Sequence, residues 1–235
     1  MGKNVVVAYT YDSSESYNIP VRKMVCSTEV SEKLLLRYSY YSGSKDRWYS
    51  DDDGFYHQYA TRISDDFRFM STPYSEKSVS SLSVGDFNKL GTNCTDGDIW
   101  LSVSDAKWIY DNCDEGTQIK AYSNVSTPLL IPGRIKLEGE AAEKGWDPTD
   151  PASENPFKKA VPTFTGVEDV TIPRRGNFSP LVNVEAYDSF GNKVTKGIKT
   201  DGNVVISRPG KYVISYYYTD ALNRTGRVDR TVTVE

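Results

Sequence analysis

The last third of the chain, from residue 161 onward, alternates apolar and polar side chains with a period of two. Gly, Asn and Asp interrupt the alternation at short intervals, as turn residues do between strands. This pattern predicts short antiparallel strands, each with one buried and one solvated face. Several such strands in a short segment favour a small β-sandwich. We expect strands near Val161–Thr165, Val170–Ile172, Leu181–Tyr187, Lys193–Ile198, Val204–Ser207, Lys211–Thr219 and Arg227–Glu235.

Three motifs in this segment can be read directly. The first runs Val184-x-Ala186-x-Asp188-x-x-Gly191-Asn192, the second is Gly210-x-Tyr212-x-Ile214-x-Tyr216-x-Tyr218, and the third is Arg230-x-Val232-x-Val234. In the second motif the apolar and aromatic residues share one face of a strand, and we expect that face to be buried.

These motifs resemble the bacterial immunoglobulin-like (Ig-like) domains of cell-surface proteins and insecticidal crystal proteins. The sequence departs from the family pattern at Tyr218, where Val is usual, and at Leu222-Asn223, where Gly-Asn is usual. The resemblance covers residues 161–235 and implies an Ig-like β-sandwich there. Such domains are also found on bacteriophage particles, so the resemblance indicates a fold and leaves the function open.

The residues before the sandwich show a less regular, β-rich pattern. Val5–Tyr11 is rich in branched and aromatic residues and predicts a strand. A helix is predicted from Ser104 to Cys113, because Ser104 is a good N-cap, Asp105 lies in the first turn, and Gly116 follows the end. The predicted fold class is therefore mainly β, with an irregular β-rich (α+β) N-terminal domain followed by the sandwich.

A proline-rich stretch separates the two regions. Residues 144–160 contain Pro148, Pro151 and Pro156 among turn-forming residues and few apolar ones. Proline restricts the residue before it to extended conformations, so we expect a semi-stiff linker. The predicted domains are residues 1–143, a linker over 144–160, and the Ig-like sandwich over 161–235.

Charge and composition exclude several classes of partner. The net charge of −4 gives no basic field that could neutralise a phosphate backbone, so we expect no nucleic-acid binding. No apolar run approaches the ~20 residues that span a bilayer, so we expect no membrane insertion. Three cysteines, Cys26, Cys94 and Cys113, cannot all pair within one chain, which favours reduced and buried thiols.

The sequence contains no recognisable catalytic motif. His57 is the single histidine, and with Tyr56 and Gln58 beside it we expect a polar position in an aromatic surface or turn. The acidic runs Asp51–Asp53 and Asp65–Asp66 favour solvated turns over paired catalytic acids or a calcium loop. Asp188 and Asp220 similarly favour side-chain-capped turns over a cation site. We therefore expect no catalytic residues, no metal and no cofactor.

An aromatic cluster is the most informative sequence feature of the N-terminal region. Between residues 38 and 59 the rings alternate with Lys45, Arg47 and acidic residues. Tyr and Trp supply large, stiff contact area and are enriched at binding surfaces. A contact face and a hairpin lining a β core are equally compatible with this pattern, and we expect residues 43–54 to form an exposed loop. The candidate contact residues are Tyr41, Trp48, Tyr49, Phe55, Tyr56 and Tyr59.

Three functions fit these expectations. The main hypothesis is a non-enzymatic virion protein, made in the host cytoplasm without a leader, that decorates a phage capsid or belongs to a head fibre or tail. Its N-terminal domain would dock on other virion proteins or on copies of itself, and the Ig-like domain would project. The alternative is a bacterial cell-surface adhesin or carbohydrate-binding module that contacts a host-surface glycan or protein. A glycoside-active enzyme with an Ig-like accessory domain ranks last.

Overall fold

A computed structural model describes residues 4–11, 16–28, 39–95, 97–122 and 133–235. The chain divides into two compact units. The first comprises residues 1–135 and 142–155, and the second comprises residues 136–141 and 156–235. Both are built mainly from strands, as predicted from the sequence.

The first unit is organised around a six-stranded sheet with the strand order β1-β2-β7-β6-β5-β4. Neighbouring strands are antiparallel except for β6 and β7, which are parallel. A separate two-stranded sheet pairs β3 with β8. The strands are β1 (Val5–Tyr11), β2 (Tyr17–Ser27), β3 (Tyr40–Tyr41), β4 (Lys45–Ser50), β5 (Tyr56–Arg62), β6 (Arg68–Ser71), β7 (Ile99–Leu101) and β8 (Gln118–Ile119). The predicted first strand is thus confirmed.

Within the described ranges, helices α1 (Val84–Phe87) and α2 (Val103–Asn112) belong to this unit, and helix α3 (Gly139–Glu143) crosses the sequence boundary between the two units. Helix α2 begins one residue before the predicted start, because Ser102 is the N-cap and its side chain accepts a hydrogen bond from the Asp105 N–H. Val103, Ala106 and Ile109 are buried where α2 packs on β5 and β6.

The segment from residue 142 to 155 packs into the first unit and is not the extended spacer we predicted. The Asp147 carboxylate is fully buried and accepts hydrogen bonds from the Val103 N–H at 2.8 Å and the Thr149 hydroxyl at 2.6 Å. Asp150 accepts from the Gln58 amide at 2.9 Å. Polar residues suggested solvent exposure from the sequence, but here they bond to groups inside the unit.

The second unit is a β-sandwich. A four-stranded sheet has the order β10-β15-β14-β13, and a three-stranded sheet has the order β12-β11-β9. Its strands are β9 (Thr163–Thr165), β10 (Val170–Ile172), β11 (Glu185–Tyr187), β12 (Lys193–Val194), β13 (Lys199–Asp201), β14 (Gly210–Thr219) and β15 (Thr225–Val234). Ile214 and Tyr216 are buried on the predicted face of β14, and the Tyr216 hydroxyl donates to the Pro180 carbonyl at 2.8 Å.

One predicted strand in this unit is wrong. Residues 204–207 form no strand, since the Arg208 N–H donates to the Val205 carbonyl at 3.0 Å in a turn, and the strand lies instead at β13, whose three residues are all exposed. Val204 still packs against the core, which explains the misleading apolar signal. An edge strand made of Lys199, Thr200 and Asp201 has no buried face, so alternation could not reveal it.

The Ig-like motif contains a turn that recurs in the chain. At Asp188 the carboxylate accepts the N–H groups of Phe190 and Asn192, both at 2.9 Å, and Gly191 adopts a left-handed φ of 85°. At Asp220 the carboxylate accepts the N–H groups two and four residues later, at 2.9 and 3.0 Å, and Asn223 has a φ of 58°. Asn223 thus occupies the left-handed position three residues after Asp220, as Gly191 does three residues after Asp188, and Asn tolerates this conformation better than other non-glycine residues.

A third turn in the first unit has the same form. The Asp51 carboxylate accepts the Phe55 N–H at 2.8 Å, the Asp51 N–H donates to the Phe55 carbonyl at 3.0 Å, and Gly54 has a φ of 85°. The acidic run at residues 51–53 is therefore a capped turn, as the sequence favoured. Among the described residues, no three His, Cys, Asp or Glu side chains are grouped to hold a metal ion.

We predict that Asn223→Ala lowers the free energy of unfolding by about 1–2 kcal/mol, because alanine pays the steric cost of a left-handed backbone. Asn223→Gly, the matched control, is expected to be close to neutral. Chemical denaturation of the two variants tests this. Equal destabilisation by both would show that the Asn223 side chain, rather than its backbone conformation, is what matters.

Asp147 predicts a pH dependence of stability. Burial raises the pKa of this carboxyl from 3.8 to about 6, although hydrogen bonds from Thr149 and Val103 oppose the shift. The folded state therefore holds this proton more tightly than the unfolded chain. The resulting stabilisation is fully present below pH 3.8 and is lost as the pH rises through about 6.

We expect the stability of the wild type relative to Asp147→Asn to fall by up to about 3 kcal/mol between about pH 4 and pH 8. Urea denaturation of both proteins across this range measures the difference and cancels the other titrating groups. A difference that does not change with pH would contradict the raised pKa.

Candidate functional site

The β4–β5 hairpin carries most of the aromatic residues expected to form a contact face. Trp48 pairs with Gln58 and Tyr49 pairs with His57 across the hairpin, so the Trp48 and Tyr49 side chains point to opposite faces of the sheet. Both side chains are half-buried on a strand. The exposed loop predicted for residues 43–54 is instead β4 followed by the Asp51 turn.

Arg47 lies between two of the predicted rings. Its guanidinium carbon is 4.0 Å from the centroid of the Tyr59 ring and 5.2 Å from that of Trp48. Tyr59 in turn meets Tyr110 of α2 edge to face, with 5.5 Å between centroids. Trp48 meets the buried Tyr74 in the same way, also at 5.5 Å. These contacts form a continuous chain in which the Arg47 guanidinium joins the rings of Trp48 and Tyr59.

Two lysines extend this arrangement. The ammonium of Lys107 lies 5.3 Å from the Tyr59 centroid, and that of Lys45 lies 5.5 Å from the Tyr110 centroid. Lys107 also pairs with Asp111, whose hydrogen bond raises the pKa of the Lys107 ammonium. Lys45 donates to the Tyr110 carbonyl at 2.5 Å. We call Lys45, Arg47, Trp48, Tyr59, Lys107 and Tyr110 the Arg47 array.

The backbone of Tyr59 is unusual. Its φ of 53° lies in the left-handed region, which a bulky residue rarely adopts. Tyr59 is only 8% exposed, so it supports the array from within the unit. Such a conformation persists where the surroundings hold it, and strained residues of this kind cluster at functional sites.

His57 has a structural role. The sequence predicted a position in an aromatic surface or turn, and this prediction is wrong. His57 is fully buried in β5. Its Nδ1 lies 2.8 Å from the Ser71 carbonyl oxygen, and its Nε2 lies 3.2 Å from a carboxylate oxygen of Asp51. Both ring nitrogens are engaged, and the Trp100 ring lies nearby at a tilt of 38°, with 5.9 Å between centroids. His57 therefore ties the Asp51 turn to the sheet.

The other four candidate residues are not members of the Arg47 array. Tyr49 stacks under the guanidinium of Arg68, 4.2 Å from its ring centroid. Tyr41 lies on β3 and is 58% exposed, and Phe55 follows the Asp51 turn and is 39% exposed. Tyr56 begins β5 and is half-buried. The structure thus brings Trp48 and Tyr59 together, and a contact role for all six residues stays a prediction.

Two members of the array were missed from the sequence. Lys107 and Tyr110 belong to α2, about fifty residues from the aromatic cluster in the chain. Their spacing of three residues places them on one face of a helix, beside the face that carries Ala106 and Ile109. The spacing predicts that Lys107 and Tyr110 share a helix face, but it does not indicate which strand the helix packs on.

The second unit has a recognisable family. Residues 162–234 match the model of the bacterial surface protein Ig-like domain family. A segment of 71 residues is 37% identical to the pesticidal crystal protein Cry22Aa of Bacillus thuringiensis. That match covers 28% of this chain and 10% of the crystal protein. Residues 162–234 of the C-terminal unit therefore form a bacterial surface protein Ig-like domain, as the motifs implied.

The similarity to solved structures is weaker. The M60 catalytic domain of Clostridium perfringens ZmpB with its CBM51 domains is 20% identical with a TM-score of 0.29, covering 32% of this chain and 8% of that one. A fused Zn-dependent amidase/peptidase from Clostridium acetobutylicum is 22% identical with a TM-score of 0.35, covering 51% of this chain and 47% of that one. At these TM-scores the likenesses carry no argument about function. No helix in the described ranges has the length and apolar character of a membrane span.

We predict that Arg47→Ala lowers the free energy of unfolding by about 1 kcal/mol, because two rings lose a stacked cation. Arg47→Lys is expected to recover less than half of this loss, since an ammonium lacks the planar face that stacks on Tyr59. Denaturant titration of the three proteins measures both effects. Full recovery by lysine would mean that charge alone, without stacking, holds the array.

Proposed function

We propose that this chain is a non-enzymatic binding protein of the bacterial cell surface. The observation that carries the proposal is the Ig-like domain at residues 162–234, whose family is defined on bacterial surface proteins. In this proposal the Ig-like unit serves as a spacer, and the first unit supplies the contact. The virion hypothesis, with docking on a particle, gains no support from the comparisons.

The Arg47 array is the contact we propose. Trp48 is half-buried and Arg47 is exposed, and the Arg47 guanidinium carbon lies 5.2 Å from the centroid of the Trp48 ring. Aromatic rings provide flat apolar area for the carbon face of a sugar, and arginine can bond a carboxylate or sulfate with two parallel N–H groups. The ligand class that fits both features is an anionic glycan.

The non-enzymatic part of the proposal rests on the chemistry of the same region. His57 has both ring nitrogens engaged and is buried, so it has no free nitrogen to act as a base. Asp51, the acidic residue nearest to it, is occupied in closing its turn. Both groups make structural contacts, which supports a non-enzymatic role.

We predict that the full chain binds acidic glycans on a glycan array and that Trp48→Ala reduces this binding about tenfold or more, since truncating a Trp that anchors a contact costs on the order of 2 kcal/mol or more. Trp108→Ala is the matched control, because Trp108 also lies beside an arginine, with Arg22 at 5.6 Å from its ring centroid. Circular dichroism checks that both variants remain folded.

Two results would count against the proposal. Equal loss of binding in Trp48→Ala and Trp108→Ala would indicate a general effect on folding and not a contact at the array. Hydrolysis of a polysaccharide by the wild type, lost in Asp51→Asn, would show that the protein is an enzyme.

A further inference from the structure

The two edges of the six-stranded sheet differ in their protection against pairing. One edge is β4, whose first three residues, Lys45, Asp46 and Arg47, are all charged. Charged side chains on an edge strand discourage the addition of another strand. The other edge is β1, which has the sequence Val-Val-Val-Ala-Tyr-Thr-Tyr and contains no charge and no proline. Among the described strands, β1 pairs with β2 and no other.

The hairpin of β1 and β2 extends well beyond the rest of the sheet. Strand β2 pairs with β7 at Cys26 and Ser27, near its C-terminal end. A two-stranded ribbon is marginally stable in water without a further strand or a packed face. Near the turn of this ribbon Tyr9, Tyr11 and Tyr17 are 39%, 59% and 67% exposed, and the Tyr11 and Tyr17 rings meet edge to face at 5.7 Å.

The edge of β1 that faces away from β2 has no strand partner among the described residues. Two register shifts occur in the hairpin, and in both the extra residue, Val21 or Asn18, lies on β2. The irregularities therefore leave β1 itself evenly pleated. Cys26 donates its N–H to the Asn4 carbonyl at 3.1 Å, so the backbone groups of Asn4 face β2. Because these directions alternate, the N–H and C=O groups of Val5, Val7, Tyr9 and Tyr11 face away from β2.

We propose that β1 pairs antiparallel with β1 of a second copy of this chain, around a twofold axis at Ala8. This register places Val5 opposite Tyr11 and Val7 opposite Tyr9, so every outward-facing residue of β1 gains a hydrogen-bonded partner. Each of these pairs joins a branched residue to an aromatic one, a favourable cross-strand combination.

Charge and symmetry favour a second copy as the partner. The strand is neutral, so a self-pair brings no like charges together across the ladder. The contact is isologous, because the same surface of each copy meets its equivalent. Assembly therefore stops at two copies, because the β1 edge of each copy is then paired. The charged β4 edges stay exposed.

The symmetric register can be tested by disulfide trapping. Two Ala8 residues would form a non-hydrogen-bonded pair with Cα atoms about 4.5 Å apart, within the range of a disulfide. Two Tyr9 residues would lie about 8 Å apart, which is too far. Ala8→Cys and Tyr9→Cys are therefore compared in the full chain carrying Cys94→Ser and Cys113→Ser. Cys26 is buried, which raises the pKa of its thiol to about 12 and keeps it unreactive.

We expect mild oxidation to convert Ala8→Cys into a covalent dimer while Tyr9→Cys stays monomeric. Analytical ultracentrifugation of the unmodified chain is expected to show a reversible monomer–dimer equilibrium. Tyr9→Lys, which places charge on the paired edge, should raise the dissociation constant about tenfold or more, and Val21→Lys, which places the same charge on β2, should leave it unchanged.

Three outcomes would overturn the proposal. A chain that sediments as a monomer at every concentration has no self-pairing edge, and β1 would then be open to a segment of another protein. Equal trapping of Ala8→Cys and Tyr9→Cys would show random collision. A dimer that Tyr9→Lys leaves intact would use another surface.

Discussion

Aspartate carboxylates that accept backbone N–H groups are the interaction on which both units depend. Asp188 and Asp220 close the two turns of the sandwich motif, and Asp51 closes a turn of the same form in the first unit. Asp147 does the same over a longer distance, because the N–H it accepts belongs to Val103, the first residue of α2. A carboxylate can accept several such bonds at once, so one residue fixes several backbone groups that would otherwise lack partners.

These aspartates differ in how far their roles can be read from the sequence. In the sandwich, Asp188 stands three residues before Gly191, and this local spacing is enough to predict the turn. Asp147 bonds across 44 residues, and the prolines and polar residues around it favoured a solvated linker. Composition reports the solvation preference of a side chain, whereas burial with satisfied hydrogen bonds depends on partners that are remote in sequence. The linker prediction failed for this reason.

The same distinction explains the candidate site. The aromatic run between Tyr41 and Tyr59 was visible, and so was Arg47 within it. Alternation on β4 places Trp48 and Tyr49 on opposite faces, so a cluster in sequence became two separate arrangements in space. The array was completed by Tyr110 from α2, and sequence periodicity cannot specify which face of the sheet receives a helix. The left-handed backbone of Tyr59 is set by that packing and has no local signal.

The two edge strands of the six-stranded sheet, β4 and β1, both bear on the proposed function. Strand β4 carries the charges that serve the Arg47 array, and those charges also protect its edge. Strand β1 carries no charge, and its last three residues, Tyr9 to Tyr11, are exposed. If two copies pair through β1, each dimer presents two Arg47 arrays on one assembly. Two weak sites held together gain avidity when the ligand repeats, as polysaccharides do. Pairing would therefore strengthen binding to a repetitive surface without any change in the single site.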